Sequence, residues 1–169
     1  SVRTGRYAQP HGVSDNVTPV DFQANHPTYP EVLQAAGYRT GYIGKWHIPA
    51  MDGGAGPRPG FDRWVSYAGG GHHFDEVFNE DGKSVASTGY QADVLTDRAI
   101  EFLEGQGQEA DGGPGEPFLL VVGFKNPHGP LDPAPRHRGQ LDDAPLTLPP
   151  SASDSLETML PLYRRLRQQ

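Results

Sequence analysis

Hydrophobic positions fall into short groups along the chain, and their spacing predicts alternating helices and strands. Val32, Leu33, Ala35 and Ala36 make a helical stripe behind Thr28-x-x-Glu31, which has the spacing of a capping box. Pro30 is tolerated in that first turn, where its missing donor would be unpaired anyway, and Gly37 suits the C-terminal cap. Thr40 to Ile43 carries β-formers ahead of Gly44 and reads as a short strand. Phe61, Trp64, Val65 and Tyr67 predict another strand, and Asn79 to Gly82 a turn. Ala92, Leu95, Ala99, Phe102 and Leu103 line one side of a helix expected over Tyr90 to Glu104, with Thr88 as its cap. Asp93, Asp97, Glu101 and Glu104 lie on the other, solvated side. Phe118 to Phe124 is a continuous apolar run, as expected of a strand buried on both faces of a parallel sheet. Pro130 to Pro150 is proline-rich and expected to run extended over the surface. A last helix is expected over Asp154 to Arg167, disturbed by Pro161, with Leu156, Leu160, Tyr163 and Leu166 inward. The pattern is that of an α/β protein with a mostly parallel sheet and flanking helices.

Composition narrows the function. The 169 residues fit one ordinary domain or a large piece of a bigger one. Glycine (22) and proline (17) are abundant, so much of the chain is loop, including the stretch from Pro49 to Gly60. The formal charge of −7 argues against a general nucleic-acid binder, yet an acidic chain can still hold a local basic pocket. There is no cysteine, which excludes disulfides, thiolate metal sites and a thiol nucleophile within these residues. No apolar run approaches the roughly 18 residues that cross a bilayer, so no membrane partner is expected.

The candidate chemistry sits where strands end. Lys45 and His47 follow the Thr40–Ile43 strand, and Lys125-Asn126-Pro127-His128 follows the apolar run. In open α/β sheets, ligands bind at the carboxyl edge of the strands. A cation and imidazoles gathered there suit an anionic oxygen and a proton transfer. Adjacent His72 and His73 follow Gly69-Gly70-Gly71, where a mobile loop would let them reach a substrate. In extended backbone the two rings alternate in direction, which disfavours one shared metal ion. Arg6, near the start, is a further possible anion ligand and more simply a surface charge.

Several of these stretches resemble the sulfatase family of the alkaline-phosphatase-like superfamily. Thr4-Gly5-Arg6 is similar to the close of the first sulfatase signature, which begins Cys-x-Pro-Ser-Arg. Gly37-Tyr38-x-Thr40-x-x-x-Gly44-Lys45-x-His47 resembles the second signature, and Asn126-Pro127-His128-x-Pro130 a third motif. Pro59-Gly60-Phe61-Asp62 and Asn79-Glu80-Asp81-Gly82 resemble segments common in bacterial members.

The resemblance implies an incomplete alkaline-phosphatase-like fold, with residues 1–169 as part of a sulfatase catalytic domain. It implies hydrolysis of sulfate esters on a sulfated small molecule or glycan, through a formylglycine nucleophile lying outside this chain. A calcium ion is implied for the parent enzyme, with most of its ligands also outside. Lys45 would bind sulfate oxygens, His47 would serve the formylglycine hydroxyl, and His128 would protonate the leaving group. His72 and His73 would contact the substrate, and no metal ligand is assigned to this chain. The family's paired amino-terminal aspartates, its later Asp-Asn ligands and its second lysine have no counterpart assigned here. The chain is expected to be inactive alone, and a periplasmic or secreted location follows by analogy only. Alternatives are a phosphonate monoester or phosphodiester hydrolase of the same superfamily, or an inactive glycan-binding fragment.

Overall fold

The computed structural model describes residues 5, 7, 27–46, 60–67, 69–105, 115–153 and 155. His47, Arg6, most of the 49–60 loop and nearly all of the last expected helix lie outside the described residues. Ser1–Pro133 forms one compact unit and Ala134–Gln169 a second. The described part of the second unit is a run of turns with short 3-10 turns at Pro135–His137 and Pro150–Ser153.

The first unit is built on a five-stranded mixed sheet. Its strands are β1 (Arg39–Gly44), β2 (Arg63–Ser66), β3 (Val77–Glu80), β4 (Lys83–Ala86) and β5 (Phe118–Gly123). Spatial order is β4-β3-β2-β1-β5. β1 runs parallel to both β2 and β5, whereas β2–β3 and β3–β4 are antiparallel. The sheet is therefore mixed rather than mostly parallel.

Side chains alternate across β1 and β2 and divide the core in two. Ile43 and Val65 point to a cluster with Tyr67, Phe78, Leu95 and Phe102, which docks helix α2 (Gln91–Glu104). Tyr42 and Trp64 point the other way and pack with Trp46 and Phe61. Trp46 meets Tyr42 and Trp64 edge-on, at centroid distances of 5.1 and 4.9 Å.

The Asn79-to-Gly82 segment is the tip of the β3–β4 hairpin. Asp81 and Gly82 both take positive φ (51° and 91°), as a two-residue hairpin turn demands. Asp81 Oδ1 accepts from Trp64 N at 2.7 Å, and its carboxylate also pairs with Arg63. Glu80 accepts from Arg63 at 2.8 Å and from Arg98 of α2 at 2.9 Å. This acidic motif thus ties hairpin, β2 and helix together.

Three expectations need correction. Helix α1 (Tyr29–Ala35) forms where the capping box places it, with Thr28 N and Oγ1 both donating to Glu31 Oε2 at 2.7 and 2.8 Å. Its stripe is not buried, however: Pro30 is the buried residue, and Val32 is 57% exposed. Helix α2 begins after Tyr90, not after Thr88, because Tyr90 takes the extended N-cap conformation. Strand β5 is not covered on both faces. Among the described residues β1 is its one strand neighbour, and Phe118 and Val122 stay exposed.

Candidate active site

The site starts from the register of β1 on β5. Gly44 lies opposite Gly123 in a parallel pair, and Lys45 N donates to Gly123 O at 2.8 Å. Lys45 and the segment after β5 therefore leave the same sheet edge, about one strand spacing of ~4.8 Å apart. The close approach requires glycine at position 44. Its φ is +133°, and a Cβ there would lie 2.0 Å from Gly123 O.

The chain leaving β1 is held from several sides. Lys45 N is bound to β5, and its carbonyl accepts from the Tyr42 hydroxyl. Trp46 is buried in the aromatic cluster just beyond. The Lys45 ammonium is held below the usual lysine range, first by burial and then by repulsion from Lys125. Upstream, Asp62 Oδ2 accepts from Thr40 N at 2.8 Å and Thr40 Oγ1 at 2.9 Å. Burial works against the Asp62 carboxylate. Hydrogen bonds from the Thr40 amide, Gln34 and the Thr40 hydroxyl, with the Arg39 charge, outweigh it and keep the group below its ordinary range. The Phe61-Asp62 segment thereby braces the strand that carries Lys45.

Beyond β5, Lys125 is 5% exposed. Its Nζ donates to Gly70 O at 2.9 Å and Gly129 O at 3.2 Å. It bridges the glycine-rich loop after β2 to the turn that carries His128. Among the described residues, no carboxylate forms an ion pair with Lys45 or Lys125. Two neighbouring cations without an acidic partner favour an anion between or beside them.

His128 is exposed on a tight turn closed by its amide donating to Lys125 O at 2.9 Å. Its Nδ1 lies 2.8 Å from Gly129 O. A carbonyl can only accept, so Nδ1 carries the proton and Nε2 is the nitrogen left for chemistry. The Asn126–Pro127 and Gly129–Pro130 bonds are both cis.

The two adjacent histidines part company. His72 is exposed, with Nδ1 3.7 Å from the Glu76 carboxylate. His73 is 6% exposed and its Nε2 lies 2.6 Å from Pro130 O. The His73 ring thus faces inward with its outer nitrogen engaged, whereas the His72 ring faces solvent. Glu76 is buried and accepts from Val77 N at 3.0 Å and Gln91 Nε2 at 3.1 Å. It organises the loop from within.

Among the described residues, no group of three or more His, Cys, Asp or Glu side chains is placed to hold a metal ion. Hard cations such as calcium need six to eight oxygens, and the described side chains at this edge are donors to an anion. They do not fit a calcium site. Sequence places Lys125 in the polar group that leaves the apolar run but does not show that it bridges two loops. Its position directly after the apolar run was the available signal.

The family model described as Sulfatase matches residues 1–146. The chain is 35% identical over 159 residues to an N-acetylglucosamine-6-O-sulfatase of Bacteroides thetaiotaomicron, covering 92% of this chain and 26% of that protein. It is 32% identical over 147 residues to the extracellular sulfatase SULF-1 homolog of Drosophila melanogaster, covering 81% of this chain and 13% of the relative. A solved protein bound to its substrate D-glucosamine-2-N,6-O-disulfate superposes with a TM-score of 0.75 at 34% identity, over 92% of this chain and 29% of that one. The chain thus spans about a quarter or less of the length of these curated relatives. With a matched family model over most of its length and an alkaline-phosphatase-like sheet edge carrying Lys45 and His128, the chain belongs to the sulfatase family.

Proposed function

We propose that this chain forms one wall of the active site of an enzyme that hydrolyses sulfate esters on an amino sugar or a glycan built from one. One observation carries the reading: β1 and β5 run parallel in register and deliver Lys45 and the Lys125–His128 turn to one edge. The relatives support the substrate class, since one is named for the 6-O-sulfate of N-acetylglucosamine and another was solved with a disulfated glucosamine.

Roles follow from the chemistry of each group. Lys45 donates to sulfate oxygens and offsets the negative charge that grows on them as the sulfur–oxygen bond breaks. His128, in its imidazolium form with Nδ1–H held by Gly129 O, gives its Nε2 proton to the departing sugar oxygen. His47 follows Lys45 by two residues and serves the nucleophile's hydroxyl. His72 faces solvent beside this edge and contacts the sugar. The nucleophile that the family resemblance implies is a formylglycine hydrate. It needs a precursor residue, usually a cysteine, and the 169 residues contain no cysteine. This chain therefore supplies groups around the sulfate and the leaving oxygen. A calcium ion belongs to the same reading of the parent enzyme, and no step here depends on it.

The test is turnover by the full-length protein on glucosamine-6-sulfate, 4-nitrophenyl sulfate and a phenylphosphonate monoester. Sulfate release from the sugar is expected, with Lys45→Ala lowering kcat by about 100-fold or more while the fold is kept. Turnover of the phosphonate alone would overturn the reading, as would near-normal kcat in Lys45→Ala.

A further inference from the structure

We infer that His73 is a positioning residue for His128, acting through one hydrogen bond to the backbone of the turn that carries it. The inference rests on the sulfatase reading for what His128 does, and on geometry alone for what His73 does.

The turn from Asn126 to Leu131 is exposed along its whole length, so its shape depends on a few ties to the buried body. Lys125 supplies one, through Gly129 O. The other ties come from His73 and Tyr90, whose rings lie nearly parallel (11°) with centroids 6.1 Å apart. His73 Nε2 donates to Pro130 O, two residues beyond His128. The Tyr90 hydroxyl donates to Asp132 O at 3.2 Å and accepts from Asn126 Nδ2 at 2.8 Å. The stacked pair thus grips the turn on both sides of His128.

The His73 ring is suited to this task and to little else. Pro130 O can only accept, which places the His73 proton on Nε2. Nδ1 is buried with no polar partner among the described residues. The His73 carbonyl accepts from Gln91 N at 2.8 Å, so the residue is fixed to the first turn of α2. The path is therefore rigid and short: α2, His73, Pro130, His128. A general acid misplaced by about 1 Å loses much of its effect, because proton transfer needs hydrogen-bond reach at the moment of bond cleavage.

Two variants separate the donor from the ring. His73→Phe keeps a planar ring against Tyr90 and removes the donor. His73→Gln removes the ring and keeps an N–H donor within reach of Pro130 O. Both are made in the full-length protein and checked for fold by circular dichroism. Two readouts follow: hydrogen exchange at the His128 amide, which bonds to Lys125 O, and kcat and KM on glucosamine-6-sulfate and 4-nitrophenyl sulfate. His73→Phe is expected to speed exchange at the His128 amide tenfold or more. It is also expected to lower kcat on the sugar sulfate tenfold or more with little change in KM. The loss is expected to be smaller on 4-nitrophenyl sulfate, whose leaving oxygen needs less protonation. His73→Gln is expected to recover most of both. Unchanged exchange in His73→Phe would overturn the inference whatever the activity, and so would a His73→Gln variant no better than His73→Phe. If the wild type turns over no sulfate ester, the sulfatase reading fails, and exchange alone decides whether His73 holds the turn.

Discussion

Replacing Lys125 by methionine tests how this sheet edge is assembled. The substitution keeps a long apolar stem and removes an ammonium that is 5% exposed and donates to Gly70 O and Gly129 O at 2.9 and 3.2 Å. A hydrogen bond to a charged group contributes roughly 1.5–3 kcal/mol. Both carbonyls belong to exposed glycines, so water replaces part of what is lost. Relief of the ammonium's desolvation offsets more. The net loss is then about 1–3 kcal/mol, or a fall in Tm of about 2–12 °C for a domain of this size.

The same substitution has a signature in pH. In the wild type, burial and the Lys125 charge lower the proton affinity of Lys45 in the folded state. Between that lowered value and the ordinary 10.5, the unfolded chain binds more protons at Lys45 than the folded one, so this group makes stability rise with pH. Lys125→Met removes one source of the depression and flattens that rise. The destabilisation should therefore be larger at pH 10 than at pH 7, and the Lys45 ammonium should titrate higher. Urea unfolding of both proteins at the two pH values, with NMR titration of Lys45 Nζ, measures this. Equal stability loss at both pH values with an unmoved Lys45 titration would refute the electrostatic part. An unchanged Tm would refute the bridging part.

Two further outcomes follow from the same elements. Gly44→Ala places a methyl 2.0 Å from the Gly123 carbonyl in a positive-φ backbone, so β1 and β5 must part. Urea titration should show a loss of about 4 kcal/mol or more, in the range of the most damaging single changes. The Asp62 carboxylate is held below its ordinary range, so its contribution is present above the unfolded value of 3.8 and is lost as pH falls through its lower folded value. Asp62→Asn should lower stability at pH 7, narrow the gap to wild type as pH falls below about 4, and show both in acid titrations followed by circular dichroism.

Much of the local structure was legible because it rests on near neighbours in the chain. Thr28 and Glu31 start a helix within three residues of each other, and the apolar periodicity through Leu95 and Phe102 places α2 against the sheet. The Thr40–Ile43 strand and the Phe118 run were equally plain, as was the arrival of Lys45 and His128 at strand ends. The β3 and β4 strands were not. Only Phe78 is buried in β3 and nothing in β4, so their sequences lack the alternation that betrays a half-buried strand.

What only the tertiary structure decided concerns partners far apart in sequence. The exposure of Val32 in α1 and of Phe118 and Val122 in β5 depends on which elements lie beside them, and periodicity carries no such information. His72 and His73 are chemically identical neighbours, yet one meets solvent and the other a carbonyl 57 residues away. Sequence puts Lys125 among the basic groups at the strand ends, but only the fold shows its ammonium held between Gly70 O and Gly129 O. Residue type sets which bonds a side chain can make. Its burial, and the identity of the atom it faces, are set by how distant segments pack, and here those two facts divide a solvent-facing histidine from one bonded to the Pro130 carbonyl.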